Sequence, residues 1–412
     1  MAQKKKPTGK KVAKTVSKAA KKNPNAFIVI VLILFIIGGA AAAIYFFVLK
    51  DKLNPGTSSE TPTSETTSSE LTSEELTSEV ITSTTTSESG EVKTMAINFL
   101  ELGNYHTGDS TYIKAGDADI LIDAGSIASS STTIKNYIDQ YCTDGTLEYV
   151  IATHAHKDHI AGFFGTNANP GLFKTYKIGT LIDFALSNNV GKALYNNYVN
   201  LRDEKIASGD IEHHYTAAEC IQEQNGAQKE YTIDEGIKLI ILDQKFYYES
   251  TSDENNYSVC ALFTHGSNNY LFTGDLEKDG EASLVERNTL PHCQLFKGGH
   301  HGSKTSNTDA LLSVITPETV CICCCAGNDE YPSNADNQFP SQTAINNIAK
   351  YTDKIYVTTV TTDGHTGYES MNGNITFRCE DGINYTINGS NNSVILKETA
   401  WFQNNRTWPE ES

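Results

Sequence analysis

A run of 24 apolar and small residues without a charge, residues 26–49, constrains the fold of this chain more than any other feature. As a helix it would be about 36 Å long, enough to cross the hydrocarbon core of a bilayer. A cleaved signal peptide would end at a small-residue site, whereas here four alanines are followed by a further apolar run. We therefore predict a transmembrane signal anchor over residues 26–49. The alternative is a buried core helix behind a basic tail that touches anionic lipid.

The segments on either side of this run set its predicted orientation. Residues 1–25 carry nine Lys and no acidic residue, which predicts a basic tail that stays in the cytoplasm. Residues 50–93 are rich in Thr, Ser and Glu and repeat Thr-Ser-Glu, which predicts a disordered linker. The chain would then be a single-pass protein of the cell membrane, with everything after the linker outside the cell.

The charge of the remaining chain limits its partners. The whole chain has a net charge of −18, to which residues 1–25 contribute +9, residues 50–52 contribute +1 and residues 57–91 contribute −8. Residues 92–412 therefore carry −20. Proteins that grip duplex nucleic acid do so with Lys and Arg, so this balance does not favour a nucleic-acid partner, although a local exception remains open.

From residue 92 onward the pattern is globular, with short apolar runs separated by Gly, Asn and Asp. The predicted strands are residues 94–100, 111–114, 119–122, 148–153, 177–182, 238–242, 258–264, 270–273 and 318–324. The predicted helices are residues 132–141, 190–207, 278–287, 308–314 and 341–351. Many strands with few helices favour a mixed sandwich with helices outside it over a doubly wound parallel sheet.

Four of the nine cysteines lie in one apolar run, residues 320–325. Strand alternation sends Cys321, Cys323 and Cys325 to one face and Cys324 to the other. Neighbours on one strand face are poorly directed for bridging, so we interpret these residues as small buried hydrophobes. The alternative is a metal site or a set of disulfides.

The chemistry begins at an HxHxDH motif directly after the apolar run 149–152. His154 and His156 point the same way from a strand end, while Asp158 and His159 lie where the chain turns into a helix. One loop can thus offer ligands to two adjacent metal ions. The alternative is a solvated, histidine-rich turn.

Two further segments follow the same plan of a strand that ends in glycine and ligand-type residues. Residues 269–275 end in Thr-Gly-Asp, and the carboxylate of Asp275 can bridge two cations. Residues 295–306 place His300 and His301 between glycines. Each segment is weak evidence by itself and specific only behind the HxHxDH motif.

In this order the three segments resemble those of the metallo-β-lactamase fold superfamily. Within it, they are similar to the hydrolase domain of ComEC-type DNA-uptake channels and to choline-phosphate esterases of Gram-positive cell surfaces. Residues 99–103, 108–110 and 120–125 add to the resemblance, which covers roughly residues 94–380. It implies an α+β fold, an αββα sandwich with a metal site at one edge, which we assign to residues 94–400.

The resemblance also implies two divalent ions, zinc or manganese. His154 and His156 would bind the first ion, Asp158 and His159 the second, and Asp275 would bridge them. The implied catalytic residues are Asp158, His300 and His301. One of the last two would complete the second site while the other faces substrate, and the sequence does not choose between them. Asp123 resembles a structural acid of the family, with Asp109 a weaker candidate.

One position departs from the family pattern. Most members place a further histidine where this chain has residues 254–258, with Asn255 and Asn256. The first metal site is therefore expected to be weak, and oxygen ligands there would suit Mn²⁺ better than Zn²⁺. His213 or His214 could supply the missing ligand from elsewhere in the chain. The alternative is that they are ordinary histidines of a loop.

These features predict metal-assisted hydrolysis, in which a bound ion lowers the pKa of water. The acidic domain favours a cell-surface or extracellular phosphodiester substrate, such as a choline-phosphate or teichoic-acid linkage. A ComEC-like nuclease that acts on DNA is the next alternative, and a β-lactamase the third. A metal-binding surface module without turnover is the alternative that is not an enzyme.

Overall fold

The computed structural model describes residues 92–330, 334, 338–362 and 367–410. The predicted tail (1–25), membrane span (26–49) and nearly all of the predicted linker (50–93) lie outside these residues. Within the described ranges, no helix combines the length and the hydropathy that a membrane crossing requires.

Sixteen strands lie in the described residues. They are β1 (Met95–Phe99), β2 (Thr111–Ala115), β3 (Ala118–Ile122), β4 (Thr146–Ala152), β5 (Lys177–Asp183), β6 (Ile211–Thr216), β7 (Glu230–Asp234), β8 (Ile237–Leu242), β9 (Cys260–His265), β10 (Asn268–Phe272), β11 (Leu295–Lys297), β12 (Val320–Ala326), β13 (Ile355–Thr361), β14 (Tyr368–Ser370), β15 (Ile375–Cys379) and β16 (Tyr385–Gly389).

Eight α-helices accompany these strands in the same ranges. They are α1 (Ser130–Ile138), α2 (Lys157–Phe164), α3 (Ala193–Ser208), α4 (Ala217–Gln222), α5 (Lys278–Arg287), α6 (Asp309–Ile315), α7 (Gln342–Ile348) and α8 (Ala400–Asn405). The last of them extends the folded region past the predicted boundary at residue 400.

The strands form two sheets of eight, each partly parallel and partly antiparallel. The first has the order β16-β15-β1-β2-β3-β4-β5-β6, and the second β14-β13-β12-β11-β10-β9-β8-β7. The neighbours β3 to β6 are parallel in the first sheet, as are β10 to β13 in the second. Strands buried on both faces read as continuous apolar runs, as β12 does.

Three apolar cores stack the molecule into four layers. The first lies between the sheets and includes Ile97 and Phe99 from one sheet with Phe263 and Phe272 from the other. The second packs α5 to α8 on the outer face of the second sheet. The third packs α1 to α3 on the outer face of the first sheet. The result is a mixed α/β sandwich in the layer order helix, sheet, sheet, helix.

All nine predicted strands and five predicted helices have counterparts, with ends that move by a few residues. The strand expected before His300 and His301 is β11, and the strands expected around residues 374–377 and 385–387 are β15 and β16, whereas β6, β7, β13 and β14 were not predicted. The strand β6 contains His213 and His214, for which a loop had been expected, and it lies at an edge of the first sheet.

All nine cysteines are free and buried, so the interpretation as small buried hydrophobes is confirmed. Cys321 and Cys323 face the core between the sheets, whereas Cys324 faces the helices. Cys325 follows a register shift in the pairing of β12 with β13 and joins neither core, which departs from strict alternation.

Candidate metal centre

Four strand ends carry the predicted site residues to one edge of the sandwich. In the first sheet, the parallel strands β3 and β4 end just before Asp123 and residues 153–159. In the second sheet, the parallel strands β10 and β11 lead into residues 273–275 and 298–301. Because parallel neighbours end on the same edge, each sheet contributes two segments to the centre.

Gly125 lets the loop after β3 lie against the start of α2. A Cβ at this position would stand 1.4 Å from the carbonyl oxygen of Asp158, so only glycine fits. The backbone N of Ala124 donates to the carbonyl O of His159 (2.7 Å), and that of Gly125 to Asp109 (2.9 Å). Backbone contacts therefore fix Asp109, Asp158 and His159 relative to one another.

The buried carboxylate of Asp275 lies at the middle of the centre. Its Oδ2 lies 3.1 Å from Nε2 of His159 and 3.3 Å from Nε2 of His301. Nε2 of His154 and Nε2 of His300 lie 4.0 and 3.9 Å from the same oxygen. One carboxylate oxygen thus faces four imidazoles that arrive from both sheets.

The two nearest imidazoles are oriented through their other ring nitrogen. Nδ1 of His159 lies 2.7 Å from Oδ2 of Asp123, which also accepts a hydrogen bond from Oγ1 of Thr153. Nδ1 of His301 lies 2.8 Å from the backbone carbonyl O of Cys323. A ring that donates through Nδ1 carries its lone pair on Nε2, which is the tautomer a metal ion needs.

Several buried polar atoms of the centre have no hydrogen-bond partner among the described residues, among them Nε2 of His159, Nε2 of His301 and Oδ1 of Asp275. Such atoms are rare, because each unpaired one costs about 1–3 kcal/mol. Side-chain atoms of Asp109, His159, Asp275 and His301 also lie within 4.8 Å of one another. The residues therefore fit a divalent metal ion, which can be the missing partner.

The carboxylates and imidazoles of the centre shift one another's pKa values. Burial opposes protonation of His159 and His301, but the carboxylate of Asp275 outweighs burial and raises the pKa of both imidazoles well above the usual range. Burial would raise the pKa of Asp275, but His159 and His301 hold that pKa well below its usual range. Burial lowers the pKa of His154, and His159 reinforces the effect. Without a metal ion, protons on the imidazoles balance the carboxylates.

The remaining predicted ligands lie beside these groups. Oδ2 of Asp158 lies 3.4 Å from Nε2 of His301, and Nδ1 of His156 lies 3.0 Å from Nε2 of His154. Burial opposes ionisation of Asp158, yet His301 and His159 lower its pKa to about 2. The structure therefore brings together the whole predicted set: His154, His156, Asp158, His159, Asp275, His300 and His301.

His300 and His301 differ in burial and in their partners. The side chain of His301 is 1% exposed, whereas that of His300 is 18% exposed. Nδ1 of His300 lies 3.2 Å from Oγ1 of Thr305 and 3.5 Å from Oε1 of Glu277. His301 is thus the better candidate for a ligand, and His300 is left to face the opening of the site.

Asn255 and Asn256 lie in a short 3₁₀ helix, Glu254–Tyr257. Asn255 lines the cleft, and its buried Oδ1 has no hydrogen-bond partner in the part of the chain that the structure describes. Oδ1 of Asn256 instead accepts a hydrogen bond from the backbone N of Glu277 (3.3 Å). Of the two amides, Asn255 is the one available to the centre.

His213 and His214 make other contacts. Nε2 of His214 lies 3.0 Å from Oδ1 of the buried Asp183, and His213 is half exposed beside Glu212. Both belong to the edge strand β6, where His214 joins a cluster around Asp183.

Two residues of the centre were missed or given little weight in the sequence. Lys297, the last residue of β11, is 3% exposed and forms an ion pair with Asp109. Oδ1 of Asp109 lies 3.3 Å from Nδ1 of His301. The sequence signal for this ion pair was a lysine at the end of an apolar strand. A lysine in such a place is buried, and a buried lysine needs a carboxylate partner.

A cleft of about 550 Å³ leads to the centre. Its walls include Asp158, Asp275 and both histidines of residues 300–301, together with Lys157, Lys192 and Phe339. Nζ of Lys157 is paired with Glu330, and Nζ of Lys192 donates to Oδ1 of Asn189 (2.6 Å). The cleft wall thus carries two lysines beside the buried carboxylates, and one of these lysines is paired with an acidic side chain.

Residues 104–165, which include the HxHxDH motif and Gly125, match the family model described as the metallo-beta-lactamase superfamily. Residues 104–165 therefore carry the similarity to the metallo-β-lactamase superfamily. The matched segment supplies His154, His156, Asp158 and His159, whereas Asp275, His300 and His301 come from residues outside it.

Proteins similar to this chain include proteins named for bacterial competence. ComE operon protein 3 of Bacillus subtilis is 27% identical over 183 residues, which cover 43% of this chain and 20% of that protein. Competence protein ComA of Neisseria gonorrhoeae is 24% identical over 215 residues, 51% of this chain and 25% of that protein. The chain thus covers a quarter or less of each relative.

Among solved structures, the metallo-β-lactamase fold protein YhfI from Bacillus subtilis is similar with a TM-score of 0.39 and 10% identity. The match covers 70% of this chain and 100% of YhfI.

Proposed function

We propose that the chain is a membrane-anchored metallo-hydrolase that cleaves phosphodiester bonds outside the cell. The observation that carries the proposal is the surrounding of Asp275 Oδ2, which has Nε2 atoms of four histidines within 4.0 Å. His154 and His156 would hold a first divalent ion, and Asp158, His159 and His301 a second. Because Oδ2 of Asp275 lies between these two groups of ligands, its position supports Asp275 as the residue that would bridge the two ions.

Bound divalent ions would supply a lowered pKa for water and stabilisation of the charge that develops on a phosphoryl group. The chain's own residues do the rest. Asp123 and the carbonyl of Cys323 orient the rings of His159 and His301. Nδ1 of His300 is held by Thr305, and the ring faces the cleft, where it can form a hydrogen bond with a substrate oxygen.

The metal preference of the two sites should differ. At the first site, Asn255 offers a carbonyl oxygen where a further imidazole is usual in the family. Oxygen ligands favour Mn²⁺ over Zn²⁺, whose preference runs to imidazole and thiolate. We therefore expect a weak first site and activity that rises when Mn²⁺ is added.

Lys192, whose Nζ donates to an amide oxygen in the cleft wall, supports an anionic substrate, while the charge of −20 on residues 92–412 disfavours a long polyanion. A cell-surface phosphodiester, such as a choline-phosphate or teichoic-acid linkage, satisfies both conditions. DNA is the second candidate, and the observation that favours it is the similarity to proteins named for competence.

One assay tests the hydrolase. The full chain, purified in detergent, should hydrolyse bis(p-nitrophenyl) phosphate with Mn²⁺ or Zn²⁺ and stop when EDTA removes the metal. The Asp275→Ala variant is the matched control for a contaminating enzyme. Absence of turnover with either metal would leave a metal-binding module without activity. Parallel reactions with plasmid DNA and with choline-phosphate-bearing teichoic acid decide between the two substrates.

The membrane anchor has its own test. Protease added to intact cells should cut within residues 54–93 and release a soluble domain into the medium. The proposed orientation is wrong if the domain is cleaved only after the cells are lysed.

A further inference from the structure

Lys297 is a buried cation placed between two carboxylates of the centre. It ends β11, is 3% exposed, and forms an ion pair with Asp109. Its Nζ also lies 3.8 Å from Oδ1 of Asp275 and donates to the carbonyl O of Gly274 (3.4 Å). A buried ammonium needs a carboxylate partner, and Asp109 is that partner.

The two oxygens of Asp275 therefore have different surroundings. Oδ2 faces the Nε2 atoms of four histidines, whereas Oδ1 faces Lys297 and has no hydrogen-bond partner within the described residues. The terminal torsion of an aspartate is broad and two-fold, so the side chain itself does not choose which oxygen faces the histidines. The fixed positive charge of Lys297 on one side of Asp275 determines which oxygen faces the histidines, because attraction between charges is strong where water is excluded.

Asp109 ties this charge to the metal ligands. Its Oδ1 lies 3.3 Å from Nδ1 of His301, and its Oδ2 lies 3.9 Å from Nδ1 of His159. The ion pair of Lys297 and Asp109 thus lies on the Nδ1 side of the rings of His301 and His159, opposite their Nε2 atoms.

We propose that Lys297 is a positioning residue that holds Oδ1 of Asp275, so that Oδ2 alone is presented to the two cations. The inference rests on the proposed two-ion hydrolase. Its consequence is that Lys297 controls whether the ions share one oxygen atom. Without Lys297, Asp275 is free to turn and to bind a single ion through both oxygens.

A single substitution is not a clean test, because Lys297→Met leaves Asp109 buried without its partner and can unfold the domain. The double variant Asp109→Asn with Lys297→Met replaces the pair by neutral residues of similar shape. A matched control replaces another buried ion pair in the same way, Asp183→Asn with Arg202→Met. Thermal unfolding shows whether both variants fold.

The readout is the electron paramagnetic resonance spectrum of the full chain loaded with Mn²⁺, together with the affinity for the second ion. Two Mn²⁺ ions that share an oxygen are magnetically coupled, whereas an isolated ion shows a resolved hyperfine pattern. We expect coupling in the parent and in the control. In the double variant we expect isolated ions and an affinity for the second Mn²⁺ that is lower by about tenfold or more.

The outcomes separate the two proposals. Coupling that persists in a folded double variant overturns the role of Lys297 and leaves the two-ion centre standing. A parent that binds Mn²⁺ without coupling overturns both. Isolated ions in the control as well would mean that loss of any buried pair disturbs the centre, which also overturns the specific role of Lys297.

Discussion

Two buried aspartates, Asp275 and Asp183, each have a histidine neighbour, yet their surroundings are opposite. Asp183 ends β5 and accepts hydrogen bonds from Oη of Tyr198 (3.2 Å), a guanidinium nitrogen of Arg202 (2.8 Å) and Nε2 of His214 (3.0 Å). Asp275 follows β10, and the atoms that face its Oδ2 include two ring nitrogens without a hydrogen-bond partner in the described ranges.

The difference distinguishes a structural carboxylate from a candidate metal ligand. Around Asp183 every contact is between a donor and an acceptor, so the cluster is complete without a ligand. Burial opposes ionisation of Asp183, but His214 and Arg202 hold its pKa below the usual range. Around Asp275 lone pairs converge on one another, and such an arrangement is stable only with protons or a cation between them.

The largest effect should come from removing the shared carboxylate. Asp275→Ala is expected to lose most of the bound metal and more than His159→Ala loses, because one imidazole serves a single ion. Mutation of a residue that only hydrogen-bonds to a metal ligand already lowers metal affinity or activity by about 10–100-fold. Loss of the ligand itself should therefore lower activity by more than about 100-fold. Elemental analysis and turnover of bis(p-nitrophenyl) phosphate measure the two losses. Metal content equal to that of the parent would remove Asp275 from the bridging position.

The same change at the other aspartate should act on stability instead. Asp183→Ala removes the buried acceptor shared by Tyr198, Arg202 and His214, although Arg202 keeps the exposed Asp203 as a partner. We expect the free energy of unfolding to fall by about 3 kcal/mol. Metal content per folded molecule should not change. Chemical denaturation measures the first effect and elemental analysis the second. If the variant lost metal while keeping its stability, the two clusters would not be independent.

An intermediate effect is expected at the asparagine that faces the cleft. Asn255→His adds an imidazole beside the first site and should shift its preference from Mn²⁺ toward Zn²⁺ by about tenfold, the order expected for a change in a ligand's surroundings. Asn256→His is the matched control, because Oδ1 of Asn256 is already engaged by Glu277. Competitive titration with both ions measures the preference. Equal shifts in the two variants would refute the distinction between these positions.

The smallest effect on the metal centre should come from the histidines of β6. The double variant His213→Ala, His214→Ala is expected to bind both ions as the parent does. It should lose about 1–3 kcal/mol of stability, because a hydrogen bond to the charged Asp183 is gone. Isothermal titration measures the affinities. Loss of the first ion in this variant would show that a histidine of β6 fills the position beside Asn255.

The sequence predicted the elements that are read from local patterns. Continuous apolar runs revealed the strands around the site, and the histidine and aspartate motifs at their ends named every side chain that meets Oδ2 of Asp275. The edge strand β6 escaped prediction, because its exposed residues include His213 and the alternation is weak.

What the sequence could not supply are the pairings between distant segments. Asp109 and Lys297 come from different sheets, and only the packing of the sheets brings them into contact. The same holds for the choice between His300 and His301. It depends on the backbone of residues 299–302, in which both histidines adopt positive φ, and on the different partners of their Nδ1 atoms, Thr305 for His300 and the carbonyl of Cys323 for His301.

The row of thiols in β12 bears on how the protein behaves outside its native state. Burial raises the pKa of Cys321, Cys323, Cys324 and Cys325, and since the thiolate is the reactive form, the folded chain resists oxidation in air. Unfolding removes that protection from nine thiols at once. Mispaired disulfides would then trap the opened chain, so its lifetime in an oxidising medium should be set by the rate of unfolding, and recovery should require a reductant.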